Sequence, residues 1–253
     1  MKALITGASS GIGKSFARYL SSLGYDLILV ARNKDKLQEL QKELKTDVKI
    51  VIADLADESK IKELYVLCKN DNIDILINNA GFGMFGEFDS TDMQGEMEMI
   101  DVNIKAVHML TKLFGKDMIK KDSGYILNVS SSASFQAGPL MATYYATKAY
   151  VTRLTVALYE ELRRKKSKVH VSCLCPGPVK TNFNDVANVE FAMKGLDSDY
   201  VAEYAIKKMF KNKLLIIPGK KMKLAVFFNR FISTKRAAKI VYRFQKKKER
   251  KSR

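Results

Sequence analysis

The stretch Thr6-Gly7-Ala8-Ser9-Ser10-Gly11-Ile12-Gly13 separates an apolar run at residues 2–6 from an amphipathic one at 11–23. A glycine-rich turn that leaves a strand and opens a helix restricts the fold more than any other feature of this chain. Glycine lets the backbone turn at positive φ and lets a ligand approach without a Cβ in the way. The free N–H groups and positive dipole end of the following helix suit a phosphate. The same alternation continues downstream. Runs at 26–31, 48–53, 73–77, 125–129, 169–175 and 214–217 read as strands, and 34–44, 59–69, 101–120, 143–164 and 198–208 as helices. Near-continuous apolar strands alternating with helices predict an α/β fold, a doubly wound parallel sheet of about seven strands with helices on both faces. Residues 1–218 form that domain and residues 219–253 a basic helical tail, with no internal repeat and no earlier linker.

Charge separates the same two parts. The net +17 is concentrated in residues 220–253, which carry 14 Lys or Arg against Glu249 alone, whereas residues 1–219 carry 30 against 26 acidic residues. A balanced body with a basic appendage argues against a nucleic-acid-binding core, and the tail has no recognised nucleic-acid motif. No apolar run approaches the ~18–20 residues of a membrane span. The run after Met1 breaks at Gly7, too short for a signal peptide, so a cytoplasmic protein is expected. Only Cys68, Cys173 and Cys175 are present. Cys173 and Cys175 fall on one strand face, which suits a metal or redox pair, but two reduced, buried thiols are the commoner outcome. No metal site is expected.

Further motifs follow successive strands. Ala53-Asp54-Leu55 follows the third, Asn78-Asn79-Ala80-Gly81 the fourth, Ser130-Ser131-Ser132 the fifth and Pro176-Gly177-Pro178-Val179-Lys180-Thr181 the sixth. Tyr144 and Lys148 stand four apart, on one face of a helix. An ammonium beside a phenol favours the phenolate and lowers its pKa from ~10, which makes Tyr144 a candidate general acid/base. Tyr145 lacks that spacing and reads as a packing neighbour. In dinucleotide sites an acidic residue about 20 positions past the turn bonds the 2′-hydroxyl of NAD. Here that position is Ala31, and the next is Arg32, whose guanidinium suits the 2′-phosphate of NADP. Asp35 is close by but lies inside the following helix.

In order and spacing these motifs resemble the short-chain dehydrogenase/reductase family over roughly residues 2–218. They are its T-G-x-x-x-G-x-G turn, its N-N-A-G loop, a serine 13 residues before the Tyr of Y-x-x-x-K, and P-G-x-V-x-T. The resemblance implies a Rossmann-type fold and hydride transfer between NADP(H) and a carbonyl or alcohol. It implies a catalytic set of Asn103, Ser131, Tyr144 and Lys148. Ser131 would hold the carbonyl oxygen, Tyr144 would move the proton, Lys148 would tune it and hold ribose, and Asn103 would hold a relay water. The cofactor would lie against Gly7, Ser9, Ser10, Gly11, Ile12 and Gly13, with Arg32 at the 2′-phosphate and Asp54 and Leu55 at adenine. Asn79, Ala80, Gly81, Tyr144, Lys148, Pro176, Gly177, Val179 and Thr181 would complete its cradle. The stretches 81–88 and 135–141 resemble a bacterial subgroup of mostly unassigned oxidoreductases. The family also implies a homodimer or homotetramer, with the helices near 101–120 and 143–164 at the interface. Val107, Leu110, Leu113, Phe114, Val151, Leu154 and Leu158 would then serve core and interface together.

Phe85, Phe135, Leu140, Met141, Phe183 and Phe191 suggest a pocket for an apolar substrate, although any one of them also reads as loop packing. A dinucleotide-binding regulatory or scaffold protein with little turnover is the alternative function. An intact Ser131–Tyr144–Lys148 set argues against it, because a sensor needs no proton donor. In the tail, Leu224, Phe227, Phe228, Phe231, Ala238, Val241 and Tyr242 recur at three- and four-residue steps, as one face of an amphipathic helix does. Such a helix either docks on an anionic membrane, at its inner face, or on an acidic partner, or packs on the body or on a second subunit with its charges solvated.

Overall fold

The computed structural model describes residues 1–181 and 195–249. Strands β1 (Lys2–Thr6), β2 (Asp26–Ala31), β3 (Val48–Ile52), β4 (Ile73–Asn78), β5 (Gly124–Val129), β6 (Val169–Leu174) and β7 (Leu215–Ile216) form one sheet in the order β3-β2-β1-β4-β5-β6-β7. Every pairing is parallel. Helices α1 (Gly11–Ser22), α2 (Lys34–Glu43), α3 (Glu58–Cys68), α4 (Met93–Ile100), α5 (Val107–Lys120), α6 (Ala142–Arg164) and α7 (Ser198–Met209) alternate with the strands. The expected doubly wound α/β sheet is present.

Two apolar layers sandwich the sheet. Phe16 and Leu20 of α1, Leu37 and Leu40 of α2, and Val201 and Ile206 of α7 pack on one face with Ile5, Leu29 and Ile77. Ile61 and Leu64 of α3, Leu110 and Phe114 of α5, and Leu162 of α6 pack on the other with Leu4, Ile28 and Leu76. Consecutive strand residues thus serve opposite layers, and this is why the strands read as unbroken apolar runs. Side-chain caps set several helix starts: Asn33 accepts from Lys36 N, Asp57 from Ser59 N, Asp92 from Gly95 N and Asp197 from Asp199 N.

Three features depart from the sequence reading. Helix α4 was not expected, because Gly95 sits inside it and a Gly/Phe-rich loop precedes it; its cap, Asp92, was the available signal. The long helix expected from Asp101 begins as a π-helical turn, Asp101–Ala106, before α5. The tail is two helices, α8 (Lys220–Asn229) and α9 (Thr234–Glu249), not one. Ser233 and Thr234, both good helix-starting residues, explain the restart. The break divides the expected apolar face. Val226 of α8 and Ala237, Val241 and Gln245 of α9 are buried on the body, whereas Leu224, Phe227, Phe228 and Phe231 are exposed.

Candidate active site

The strand order reverses between β1 and β4: β1 leads outward through β2 and β3, and β4 leads the other way. Such a switch point leaves a crevice at the carboxyl ends of the strands, where open α/β sheets bind their ligands. The glycine-rich turn lies there. Gly7 and Gly11 hold φ of +64° and +52°, a region that L side chains avoid. A Cβ on Gly13 would lie 2.1 Å from the Gly7 carbonyl oxygen, so no side chain fits between the turn and α1. The N-cap of α1, Ser10, makes no side-chain capping bond, which leaves the first N–H groups of the helix to another acceptor. The loop after β4 is tied to the turn. Asn79 Nδ2 donates to the carbonyls of Thr6 (3.0 Å) and Gly7 (3.2 Å), and Thr6 Oγ1 accepts from the backbone N–H of Asn79 and Ala80. Asn78 instead turns inward, to Thr111 and Asn128.

A cleft of about 710 Å³ runs along the crevice. Its lining includes Gly7, Ser9, Ser10, Gly11 and Ile12 at one end, with Arg32, Asp54 and Leu55 beside them. Asn79, Ala80, Gly81, Pro176, Gly177, Val179 and Thr181 line its middle, and Ser131, Tyr144 and Lys148 lie beyond. Gly13 stands behind the turn rather than in the lining. Arg32 and Asp54 face each other, Nη1 to Oδ2 at 3.7 Å, both largely in solvent. An exposed pair so long is worth little, so Arg32 remains available to a ligand. A glycine cradle that admits no Cβ, an uncapped helix start and a long cleft are what a dinucleotide requires; the residues present fit one.

Four side chains meet at the far end. Ser131 hydrogen-bonds the Tyr144 hydroxyl. Lys148, one turn along α6, places Nζ 5.9 Å from the centre of the Tyr144 ring and donates to the Val129 carbonyl at 3.1 Å. Burial pushes the Tyr144 phenol up to about 12, and the Ser131 hydrogen bond offsets this only partly. The sequence reading expected a phenol lowered by Lys148. Desolvation instead sets the phenol, raised further by Tyr145, and Lys148 is not among the groups that shift it. Burial also pushes the Lys148 ammonium down to about 8, against the opposing influence of Cys173 and Cys175. Both cysteines are free and buried, their sulfurs 3.6 Å apart. Asn103, in the π-helical turn, lies beside the cleft rather than in its lining. Its amide donates to the Phe82 carbonyl (2.9 Å) and Thr147 Oγ1 (3.1 Å) and accepts from Phe82 N (3.1 Å), which holds the loop after β4 against α6. Ser130 is spent on the Lys148 carbonyl and Thr152.

Of the aromatic and apolar candidates, Met141 lines the cleft, whereas Phe85, Phe135 and Leu140 do not. Phe183 and Phe191 lie outside the described residues. The sequence reading missed the residues that close the far end. Gln136, Tyr145, Val241, Phe244 and Gln245 all line it, the last three from the tail. Gln245 Nε2 donates to the Tyr145 hydroxyl at 2.9 Å, and Asn229 Nδ2 to the Phe135 carbonyl at 2.8 Å. Met222 of α8 packs over Gly177; a Cβ there would lie 2.5 Å from Met222 Cε, the flexible end of that side chain. The two hydrogen bonds join residues 94 and 100 positions apart, and only the break between α8 and α9 gave a local signal.

The family model of short chain dehydrogenases matches residues 1–190. An uncharacterized oxidoreductase of Staphylococcus epidermidis is 36% identical over 181 residues, which is 71% of this chain and 78% of that protein. A short-chain dehydrogenase from Sphingobium yanoikuyae, solved in complex with NADPH, superposes with a TM-score of 0.82 at 28% identity, covering 91% of this chain and 93% of that one. A short chain dehydrogenase/reductase from Burkholderia phymatum, solved in complex with NAD, also reaches 0.82, at 25% identity, covering 90% and 92%.

Proposed function

This chain belongs to the short-chain dehydrogenase family, and we propose that it is an NADP(H)-dependent oxidoreductase acting on the carbonyl or alcohol of an apolar substrate. The observation that carries this reading is the junction of Ser131, Tyr144 and Lys148 in a cleft whose other end is the glycine-rich turn. The bound cofactor supplies or accepts the hydride. Ser131 holds the carbonyl oxygen and stabilises the negative charge that develops on it. Tyr144, a neutral phenol because it is buried, gives its proton to that oxygen during reduction. Lys148 holds ribose hydroxyls, and its ammonium favours the phenolate that remains. Asn103 fixes the loop that carries Gly81 and Phe82 against the reacting centre. Met141, Val241 and Phe244 give the substrate end an apolar wall. NADPH oxidation, followed by absorbance with a panel of ketones, quinones and acyl thioesters, tests the reading. No turnover across the panel, with NADPH bound, would favour a regulatory role instead.

The NADP preference rests on Arg32 in place of an acidic residue, with Lys36 lining the same end of the cleft. Arg32→Ala is expected to raise the NADPH KM and change the NADH KM little. A charge-assisted hydrogen bond contributes about 1.5–3 kcal/mol, and the exposure of Arg32 puts the effect near the lower end, roughly tenfold. Equal use of NADH and NADPH by the unaltered protein would reject the assignment.

A homo-oligomer built on α5 and α6 follows from the family. Leu110 and Phe114 pack on the sheet and Leu158 packs against that layer; Val107 and Val151 are buried, and half-buried Leu113 and Leu154 remain to meet a second copy. Light scattering at micromolar concentration is expected to give a dimeric or tetrameric mass. A monomer would reject the interface.

A further inference from the structure

The tail does two things at once. Its inner side is fastened to the body. Val226, Ala237, Val241 and Gln245 are buried, and Asn229 and Gln245 hydrogen-bond the segment around Phe135 and Tyr145. That fastening fixes what faces outward. Leu224, Phe227, Phe228 and Phe231 are 57%, 50%, 57% and 75% exposed. The rings of Phe227 and Phe228 lie 5.5 Å apart and those of Phe227 and Phe231 5.6 Å apart, so they form one apolar cluster in contact with solvent. Lysines and arginines of the same segment are exposed as well, among them Lys221, Arg230, Lys235 and Arg236. Among the described residues, no ion pair takes a basic side chain from 220–243. A contiguous exposed apolar cluster on a folded protein marks an interaction surface.

We propose that this surface docks on an anionic lipid bilayer. The cluster would enter the headgroup boundary while the exposed basic side chains of the segment meet lipid phosphates, the arrangement by which interfacial helices bind. Charge decides against the other occupants. A second copy would bring the same basic surface, with 14 Lys or Arg against one Glu in residues 220–253, onto itself. Nucleic acid would satisfy the charge but not the rings, which pack on one another rather than standing apart as platforms for successive bases. The tail that carries this surface also reaches the cleft through Val241, Phe244 and Gln245. Phe244 of α9 is largely exposed and lines the substrate end. On the reading that the cleft takes an apolar carbonyl, the bilayer supplies a substrate that water does not dissolve.

No helix among the described residues is long and apolar enough to cross a membrane, so the contact is peripheral and reversible. Sedimentation with vesicles tests it without any need for turnover, so it stands or falls apart from the catalytic reading. The full chain is expected to pellet with phosphatidylcholine vesicles containing phosphatidylglycerol, and not with phosphatidylcholine alone. Salt at about 0.5 M, where screening is nearly complete over a few ångströms, is expected to release most of it. The triple variant Phe227→Ser, Phe228→Ser, Phe231→Ser is expected to lower the bound fraction at least tenfold at low salt. It should keep the parent's melting temperature, because those side chains are exposed. Indifference of the parent to anionic vesicles at low salt overturns the proposal, as does unchanged binding by the triple variant. A fall in oligomeric mass of that variant, with no vesicle binding by either protein, would assign the cluster to a second copy and also overturn it.

Discussion

Tyr144→Phe is expected to lower the rate of carbonyl reduction by ~10²–10⁴-fold, the usual cost of losing a positioned general acid. The fold and the NADPH affinity should be nearly unchanged, because phenylalanine preserves the ring that packs with Met99, Ala133 and Met141. The pH dependence should differ between the two directions. Reduction uses the protonated phenol, which burial stabilises up to about 12. Oxidation uses the phenolate, which the same burial disfavours. The oxidative rate of the parent should therefore climb through the mildly alkaline range while the reductive rate does not. Tyr145→Phe is the matched control: its hydroxyl bonds Gln245 of the tail, not the reacting centre. Steady-state rates for both variants decide the matter. A dead Tyr145→Phe beside an active Tyr144→Phe would overturn the assignment.

Lys148→Met is expected to abolish most turnover and yet to stabilise the protein. Lys148 is buried, and its ammonium is pushed from the usual 10.5 down to about 8, chiefly by desolvation. A native pKa below the unfolded one means that the folded state holds the proton less firmly. Below about pH 8 both states are charged and the folded state bears the full penalty, about 3 kcal/mol. Between about 8 and 10.5 the unfolded chain binds more proton than the folded one, so stability from this group rises with pH. Methionine removes the charge and keeps much of the packing. Losing the bond to the Val129 carbonyl costs about 1 kcal/mol in return. A net gain of about 2 kcal/mol corresponds to roughly 4–8 °C in Tm for a domain of this size. Thermal melts at pH 7 and pH 10 check both parts: the variant should melt higher at pH 7, and the difference should shrink at pH 10. A variant that melts lower than the parent at pH 7 would show that Lys148 supports the fold instead.

Much of the site was legible because its chemistry is local. The turn from Thr6 to Gly13 shows in sequence because positive φ and close approach demand glycine at particular positions, whatever surrounds them. Tyr144 and Lys148 show because a helix places residues four apart on one face. The strands show because burial on both faces leaves continuous apolar runs. The state of those residues was not legible. The proximity of Lys148 suggested a lowered phenol, but how deeply Tyr144 is buried depends on Met99 of α4, Ala133 of the 3₁₀ turn (Ser132–Phe135) and Phe82 of the loop after β4, none adjacent to it in the chain.

The tail marks the same division. Sequence alone determined that residues 220–253 are basic, since charge is a property of composition, whereas the single apolar helix face it suggested is divided between two helices. It also determined the doubly wound sheet and the order of its motifs. Only the tertiary structure decided which apolar residues of the tail are spent on the body and which remain outside. Val241 and Phe227 look alike in sequence, yet one is buried beside the cleft and the other stands in solvent. Burial is set by what the rest of the chain places against a residue, and the partners that decide it here, Phe135 and Tyr145, lie about 100 positions away.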